Sequence, residues 1–288
     1  NQGVDIMNIL VFGGNRFVGK QLIEELLEQG HNVDMFNRSG TGPDYVMETC
    51  EGNIIQGDRN NREDIEKIDF SKYDTIVDMC LFFPGQFEKM KDLIPTNTNY
   101  IFVSSGAADD RYVRNFGDYG YDKRAVESML VSSDLNYKIV RPSYIVGQGN
   151  HRPRLGYYMN KIINQEHIPV AGNAQNKINI VFVQDVVDCL VELVYDKVNK
   201  QCRCETCVSN NRIDIVGENI EVIDLINEVS KYCREGQVML VQDDEEALFS
   251  KNEFEFDSHI EYTKLEKGLK EYAKWFYNEG AKKYGYTI

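Results

Sequence analysis

Residues 7–38 constrain the fold more than any other stretch. "MNILVFGG" is a short apolar run that ends in glycines, and "FVGKQLIEELLEQG" follows with Val18, Leu22 and Leu26 at helical spacing and Gly30 placed as a helix stop. "HNVDMFNR" then reads as a second strand. Strand, glycine turn, helix and strand within about thirty residues make a βαβ unit. Alternation of this kind builds a parallel sheet with helices on both faces.

The alternation continues. "YDTIVDMC", "NYIFVSS" and "NYKIVRPSYIVG" are further β-rich runs, with "QFEKMKDLI" and "YDKRAVESMLVSS" as helical pieces between them. After Gly149 the texture turns more basic and aromatic in "HRPRLGYYMNKIINQEHIPVAG". "NIVFVQDVVDCLVELVYDKV" restores a strand and an apolar helix; an acidic stretch, "QDDEEALFSKNEFEFD", and an aromatic helical tail close the chain. With 288 residues, one large domain or two joined ones are open. The expected fold is α/β, a doubly wound parallel sheet over residues 7–149 and 176–209, with a smaller C-terminal substrate-binding lobe from 150–175 and 210–288.

Charge and cysteines narrow the function classes. A net charge of −14 repels a polyanion, so nucleic acid is not expected as a partner. No apolar run approaches the ~18 residues of a membrane span, and "NQGVDIM" lacks the basic start and apolar stretch of a signal peptide. The expected location is therefore the cytoplasm, with Met7 as the natural start. Seven cysteines, an odd count, suit reduced thiols. In "CRCETC", Cys202, Cys204 and Cys207 lie close enough to suggest zinc. Strand-like alternation would point Cys204 and Cys207 apart, and a fourth ligand would have to come from Cys233 or Cys189 through the fold. No metal is expected.

The first turn carries the binding chemistry. Gly13 permits the tight turn after the strand and Gly19 the close packing of helix on sheet. Together they aim the free N–H groups of a helix N-terminus at a phosphate. Arg16 stands where a second glycine would allow close approach of a pyrophosphate; either the backbone stays farther away or the guanidinium pairs with a phosphate itself. The second strand ends in Asn37 and Arg38 in place of an acid that would bind a ribose 2′-hydroxyl, which favours NADP over NAD.

A second group could move a proton. Tyr119 and Lys123, in "DYGYDKRAVE", are four apart and share a helix face, whereas Tyr121 does not reach the lysine. An ammonium beside a phenol lowers a pKa that is normally ~10 toward the range of a general base. Ser104 and Ser105 end a strand, where an open α/β sheet places its ligand crevice.

These motifs together resemble the extended short-chain dehydrogenase/reductases, the epimerase/dehydratase family, and more narrowly its members with a "GGTRFVG"-like turn. Here that turn is "GGNRFVG", the acid after the third strand is Asp58 in "GDRNN", the serine lies in "VSS", the Tyr-x-x-x-Lys is "YGYDK" and the later arginine–proline is Arg141–Pro142. The resemblance implies a Rossmann-like core. It assigns proton transfer to Tyr119, cofactor ribose contact and Tyr119 tuning to Lys123, and substrate orientation to Ser105. Cofactor contacts would come from Gly13, Asn15, Arg16, Phe17, Gly19, Asn37, Arg38, Cys80 and Ser104, with Asp58 at the adenine and Pro142 to Ile145 lining the nicotinamide pocket. Arg152 and Arg154 would clamp a nucleotide diphosphate, and the family suggests a homodimer.

Departures from the family pattern refine the expectation. Ser105 and Tyr119 are 14 residues apart, a shortened connection. Gly106 and Ala107 follow the serine where dehydratases carry an acidic pair, and Asp109 and Asp110 come late. "DMCLFF" lacks the small Ala/Gly pair usual after the fourth strand. The reading is an NAD(P)-dependent epimerase or reductase acting on a nucleotide-activated sugar, ahead of a dehydratase. Its rivals are a dinucleotide-holding sensor and an RNA-associated relative.

Overall fold

The structure, a computed structural model, describes residues 5–42, 53–195 and 211–288; Cys202, Cys204 and Cys207 lie outside them. The chain divides into two compact units, Asn1–Pro142 with Val187–Ile215, and Ser143–Val186 with Val216–Ile288.

The first unit is built on seven parallel strands: β1 (Asn8–Phe12), β2 (Asn32–Asn37), β3 (Ile54–Gln56), β4 (Thr75–Asp78), β5 (Asn99–Val103), β6 (Tyr137–Pro142) and β10 (Arg212–Ile215). Their order is β10-β6-β5-β4-β1-β2-β3. Residues Ile9 to Phe12 are fully buried, as a central parallel strand with both faces covered requires. Helix α1 (Phe17–Glu28) buries Val18, Leu22 and Leu26 as their spacing predicts, and Gly30 follows its end at φ +85°. Helices α2 (Pro84–Glu88), α3 (Gly117–Val131) and the later part of α5 (Val183–Val194) also belong to the unit. Strand order reverses at β1, between β2 and β4, which puts the ligand crevice of such a sheet outside the carboxyl ends of these strands. This is the α/β doubly wound architecture expected from the alternation, with the Rossmann-like core that the resemblance implies.

The second unit carries a three-stranded sheet, β11 (Glu218–Glu221), β9 (Lys177–Phe182) and β7 (Tyr144–Val146), and a two-stranded pair, β12 (Leu240–Gln242) with β8 (Ile168–Val170). Helices α4 (Arg154–Ile163), α6 (Val222–Ser230) and α7 (Leu265–Trp275) pack a core that includes Tyr158, Ile162, Phe182, Leu225, Leu269 and Phe276.

Two elements differ from the sequence reading. "NYKIVRPSYIVG" is not one run: it breaks after Pro142, and its halves join different sheets because β7 pairs with β9. The unit boundary therefore falls at residue 142, so 143–149 and 176–186, read as core, lie in the second unit, whereas 211–215 lie in the first. "QFEKMKDLI" is helical only to Glu88 and continues as i to i+3 turns, Met90 N–H to Phe87 carbonyl and Leu93 N–H to Met90 carbonyl, each 3.0 Å.

Candidate active site

At the carboxyl end of β1, Gly13 takes φ +91°, and a Cβ added there would stand 3.2 Å from Cys80 Cβ. A Cβ on Gly19 would lie 2.3 Å from the Gly13 carbonyl oxygen, so the turn closes on itself only because residue 19 has no side chain. Arg16 caps α1 with an extended backbone, offers no side-chain cap and is exposed; Phe17 follows at φ +48°. The first turn of α1 holds no acidic residue. The helix N-terminus thus keeps its partial positive charge uncompensated, and these residues fit a dinucleotide phosphate.

Asn37 and Arg38 have separate jobs. The Asn37 amide donates to Asn15 Oδ1 at 3.0 Å and to the Thr41 carbonyl at 2.9 Å, and its Oδ1 accepts from Gly40 N–H at 2.8 Å and Ser39 Oγ at 3.0 Å. It shapes the loop after β2 and ties that loop to the glycine turn. The Arg38 guanidinium is exposed and has no ion-pair partner among the described residues. Asp58, half-buried, accepts from the backbone and side chain of Asn60, each at 2.9 Å.

Helix α3 presents Tyr119 and Lys123 one turn apart, and they differ sharply in exposure, 45% against 2%. Lys123 Nζ donates to the Leu81 carbonyl at 2.8 Å and the Val103 carbonyl at 3.0 Å, and sits 5.2, 5.0 and 6.0 Å from the ring centres of Phe82, Phe102 and Tyr119. Burial pushes its ammonium down to about 8. Ser105 caps a short 3-10 turn over Gly106–Ala108; its Oγ accepts from Ala107 N–H at 3.1 Å, which leaves the hydroxyl proton to be donated. Ser104, by contrast, is buried and donates to Glu127 Oε1 at 2.5 Å.

Two buried clusters were missed by sequence reasoning. Glu127 accepts from Ser104 and from Arg141, at 2.8 Å from Arg141 Nε. Its spacing of four from Lys123 was the available signal, because that spacing puts it on the same helix face. Arg59 pairs in bidentate fashion with Asp78, which also accepts from Tyr100, and nothing local in sequence links them. The late acids are both engaged, Asp109 with Arg111 at 2.9 Å and Asp110 with Arg124. Burial alone would raise the Asp109 carboxyl, but the bonds from Arg111 outweigh it and hold the group below its ordinary value.

Pro142 ends β6 in the first unit. Ile145, Arg152 and Arg154 belong to the second, where the Ile145 carbonyl accepts from Asn150 at 3.1 Å and Arg154 lies 5.3 Å from the Tyr144 ring centre. Arg152 is exposed. Among the described residues no group of three His, Cys, Asp or Glu is placed to hold a metal ion, and no helix is long and apolar enough to cross a membrane.

A glycine cradle at the switch point of a parallel sheet, with a Tyr-x-x-x-Lys helix at the same strand ends, is the arrangement of dinucleotide-binding proteins, and the chain belongs to the NAD(P)H-binding family, whose model matches residues 13–171. Its fold is that of the extended epimerases and dehydratases. An epimerase from Methanothermobacter thermautotrophicus superposes with a TM-score of 0.74 at 15% identity, covering 96% of this chain and 94% of that one. UDP-glucose 4-epimerase from Thermotoga maritima, solved with UDP-glucose, gives 0.70 at 18% identity over 94% and 99%. Among curated proteins, the chloroplast stem-loop binding protein of 41 kDa b from Arabidopsis thaliana is 24% identical over 212 residues, 65% of this chain and 54% of that protein. The chain spans about half the length of that relative.

Proposed function

We propose that the chain is an NADP-preferring epimerase or reductase that acts at a hydroxyl or ketone carbon of a nucleotide-activated sugar. The observation that carries this reading is the pairing of an exposed Tyr119 with a buried Lys123 on one helix turn, in the unit that also holds the glycine cradle. The bound nicotinamide supplies the hydride acceptor or donor. Tyr119 takes the proton from the substrate hydroxyl, Lys123 favours its phenolate and holds the cofactor ribose, and Ser105 donates its free proton to the reacting oxygen. Arg16 and the α1 N-terminus meet the pyrophosphate, with Asn15 and Phe17 shaping the turn around them. Asp58 meets the adenine, Arg38 a 2′-phosphate, and Pro142 and Ile145 the nicotinamide. Asn37, with all its polar atoms engaged, positions Arg38, and Ser104 positions Ser105 from within.

The substrate class draws support from the likeness to structures solved with UDP-glucose and, for a UDP-N-acetylglucosamine 4-epimerase of Methanobrevibacter ruminantium, with UDP-N-acetylmuramic acid. Arg152 and Arg154 are the residues we assign to the diphosphate. Dehydration is disfavoured because Gly106 and Ala107 follow Ser105 in place of an acidic pair, and the late Asp109 and Asp110 are each ion-paired with an arginine. The Arabidopsis relative supports a second reading, stem-loop binding, against which the net charge of −14 works.

Titration of cofactor-stripped protein with NADPH and NADH, followed by nicotinamide fluorescence, tests the first reading. NADPH should bind more tightly, and Arg38→Asp should cost it roughly tenfold or more, the scale of one charge-assisted contact. Binding of neither dinucleotide would remove the enzyme reading and leave the second.

A further inference from the structure

Arg59, Asp78 and Tyr100 form a buried polar cluster that none of the roles above uses. Arg59 donates to both Asp78 oxygens, at 2.7 and 2.8 Å, with its guanidinium 5.2 Å from the Phe12 ring centre. Tyr100 donates its hydroxyl to Asp78 Oδ2 at 2.8 Å. Asp78 and Tyr100 are fully buried and Arg59 nearly so. A buried ion pair is weak evidence for stability, because desolvation rivals the attraction.

What the cluster fixes is a place. Asp78 ends β4, and its Oδ1 accepts the N–H of Cys80 at 3.3 Å, holding the turn that presents the Leu81 carbonyl. Tyr100 lies on β5, the strand that ends at Val103. Leu81 and Val103 supply the two carbonyls that hold Lys123 Nζ, at 2.8 and 3.0 Å. Both strand ends around the lysine are thereby tied to one carboxylate, although Lys123 Nζ bonds to the two carbonyls and no hydrogen bond joins it to Asp78 among the described residues.

We infer that the Arg59–Asp78 pair is a positioning and charge-balancing device for Lys123: it seats the two carbonyls that grip Nζ and sets the charge that Nζ faces. The groups around the lysine are Asp78 at the end of β4, Cys80 in the turn after it, Arg59 beyond β3, and Tyr119 and Glu127 on its own helix, with the Phe82 and Phe102 rings against the ammonium. Burial favours the neutral amine, Asp78 opposes it and Arg59 reinforces it. The two halves of the pair therefore push the lysine in opposite directions, and removing one unmasks the other. Any consequence for Tyr119 rests on the function proposed above; the seating of the lysine does not.

The test follows the Lys123 side-chain resonance with pH in the full chain labelled with [ε-13C]lysine, without cofactor or substrate, the signal being assigned by its loss in Lys123→Met. Lys123 should titrate near pH 8. Asp78→Asn should lower that midpoint by about one unit, Arg59→Met should raise it by about as much, and the double variant should return toward wild type. Arg59→Lys, which keeps the charge, should stay near wild type, and the comparison of Arg59→Lys with Arg59→Met decides the matter even where Asp78→Asn does not fold. Shifts of the same sign in both single variants, no shift in either, or an Arg59→Lys midpoint as displaced as that of Arg59→Met would overturn the inference. A protein that binds no dinucleotide yet shows the opposed shifts keeps the inference and loses the proposed function; one that binds NADPH with an indifferent lysine does the reverse.

Discussion

The two ends of the candidate site are made in different ways. The glycine turn after β1 is backbone work: Gly13 and Gly19 close it, Arg16 and Arg38 stand exposed beside it, and the first turn of α1 holds no acidic residue. The Tyr119–Lys123 end is side-chain work in a buried setting, where Lys123, Glu127, Arg141, Arg59 and Asp78 are held by partners from several strands. The first kind of site costs little stability to hold ready, since its charges remain in water. The second carries desolvated charges whose loss the fold feels directly.

That contrast predicts an order of effects. Glu127→Ala leaves Arg141 buried without its main acceptor and should lower unfolding free energy by about 3–5 kcal/mol, read in urea denaturation. A loss under about 1 kcal/mol would show that the buried end is no more demanding than the exposed one. Gly19→Ala should come next, at about 1–3 kcal/mol, because its Cβ meets a backbone oxygen that has no side-chain freedom to yield; NADPH affinity should fall with it. The most specific effect is in pH. Lys123 is pushed down to about 8 in the fold, so between pH 8 and ~10.5 the unfolded chain binds the extra proton and stability gains as pH rises. Below pH 8 both states are protonated and the penalty is constant. Lys123→Met should therefore flatten that part of the stability curve, and an unchanged slope would show that the lysine is not held as described.

The same contrast explains what could be read in the sequence. The strands, the glycine turn and the Tyr119–Lys123 spacing are local patterns, and periodicity exposes them. The partition of "NYKIVRPSYIVG" between two sheets was not legible, since both halves are apolar and only pairing with β9 separates them. Neither was the Arg59–Asp78 pair, joined across 19 residues by a sheet order that places the end of β4 beside β1. Asn37 and Arg38 read as one NADP-favouring pair, yet the fold spends the asparagine on its own loop. Ser104 and Ser105 are adjacent in sequence, but one is buried on Glu127 and only the other keeps a proton to donate.

The most direct test of the central claim loads the protein with NADP+ or NADPH and follows nicotinamide fluorescence while UDP- and dTDP-sugars are added, wild type beside Tyr119→Phe. At least one sugar should change the wild-type signal, and Tyr119→Phe should bind the dinucleotide with unchanged affinity but lose at least about a hundredfold in rate, the share of one general base. Full turnover in Tyr119→Phe would contradict the central claim.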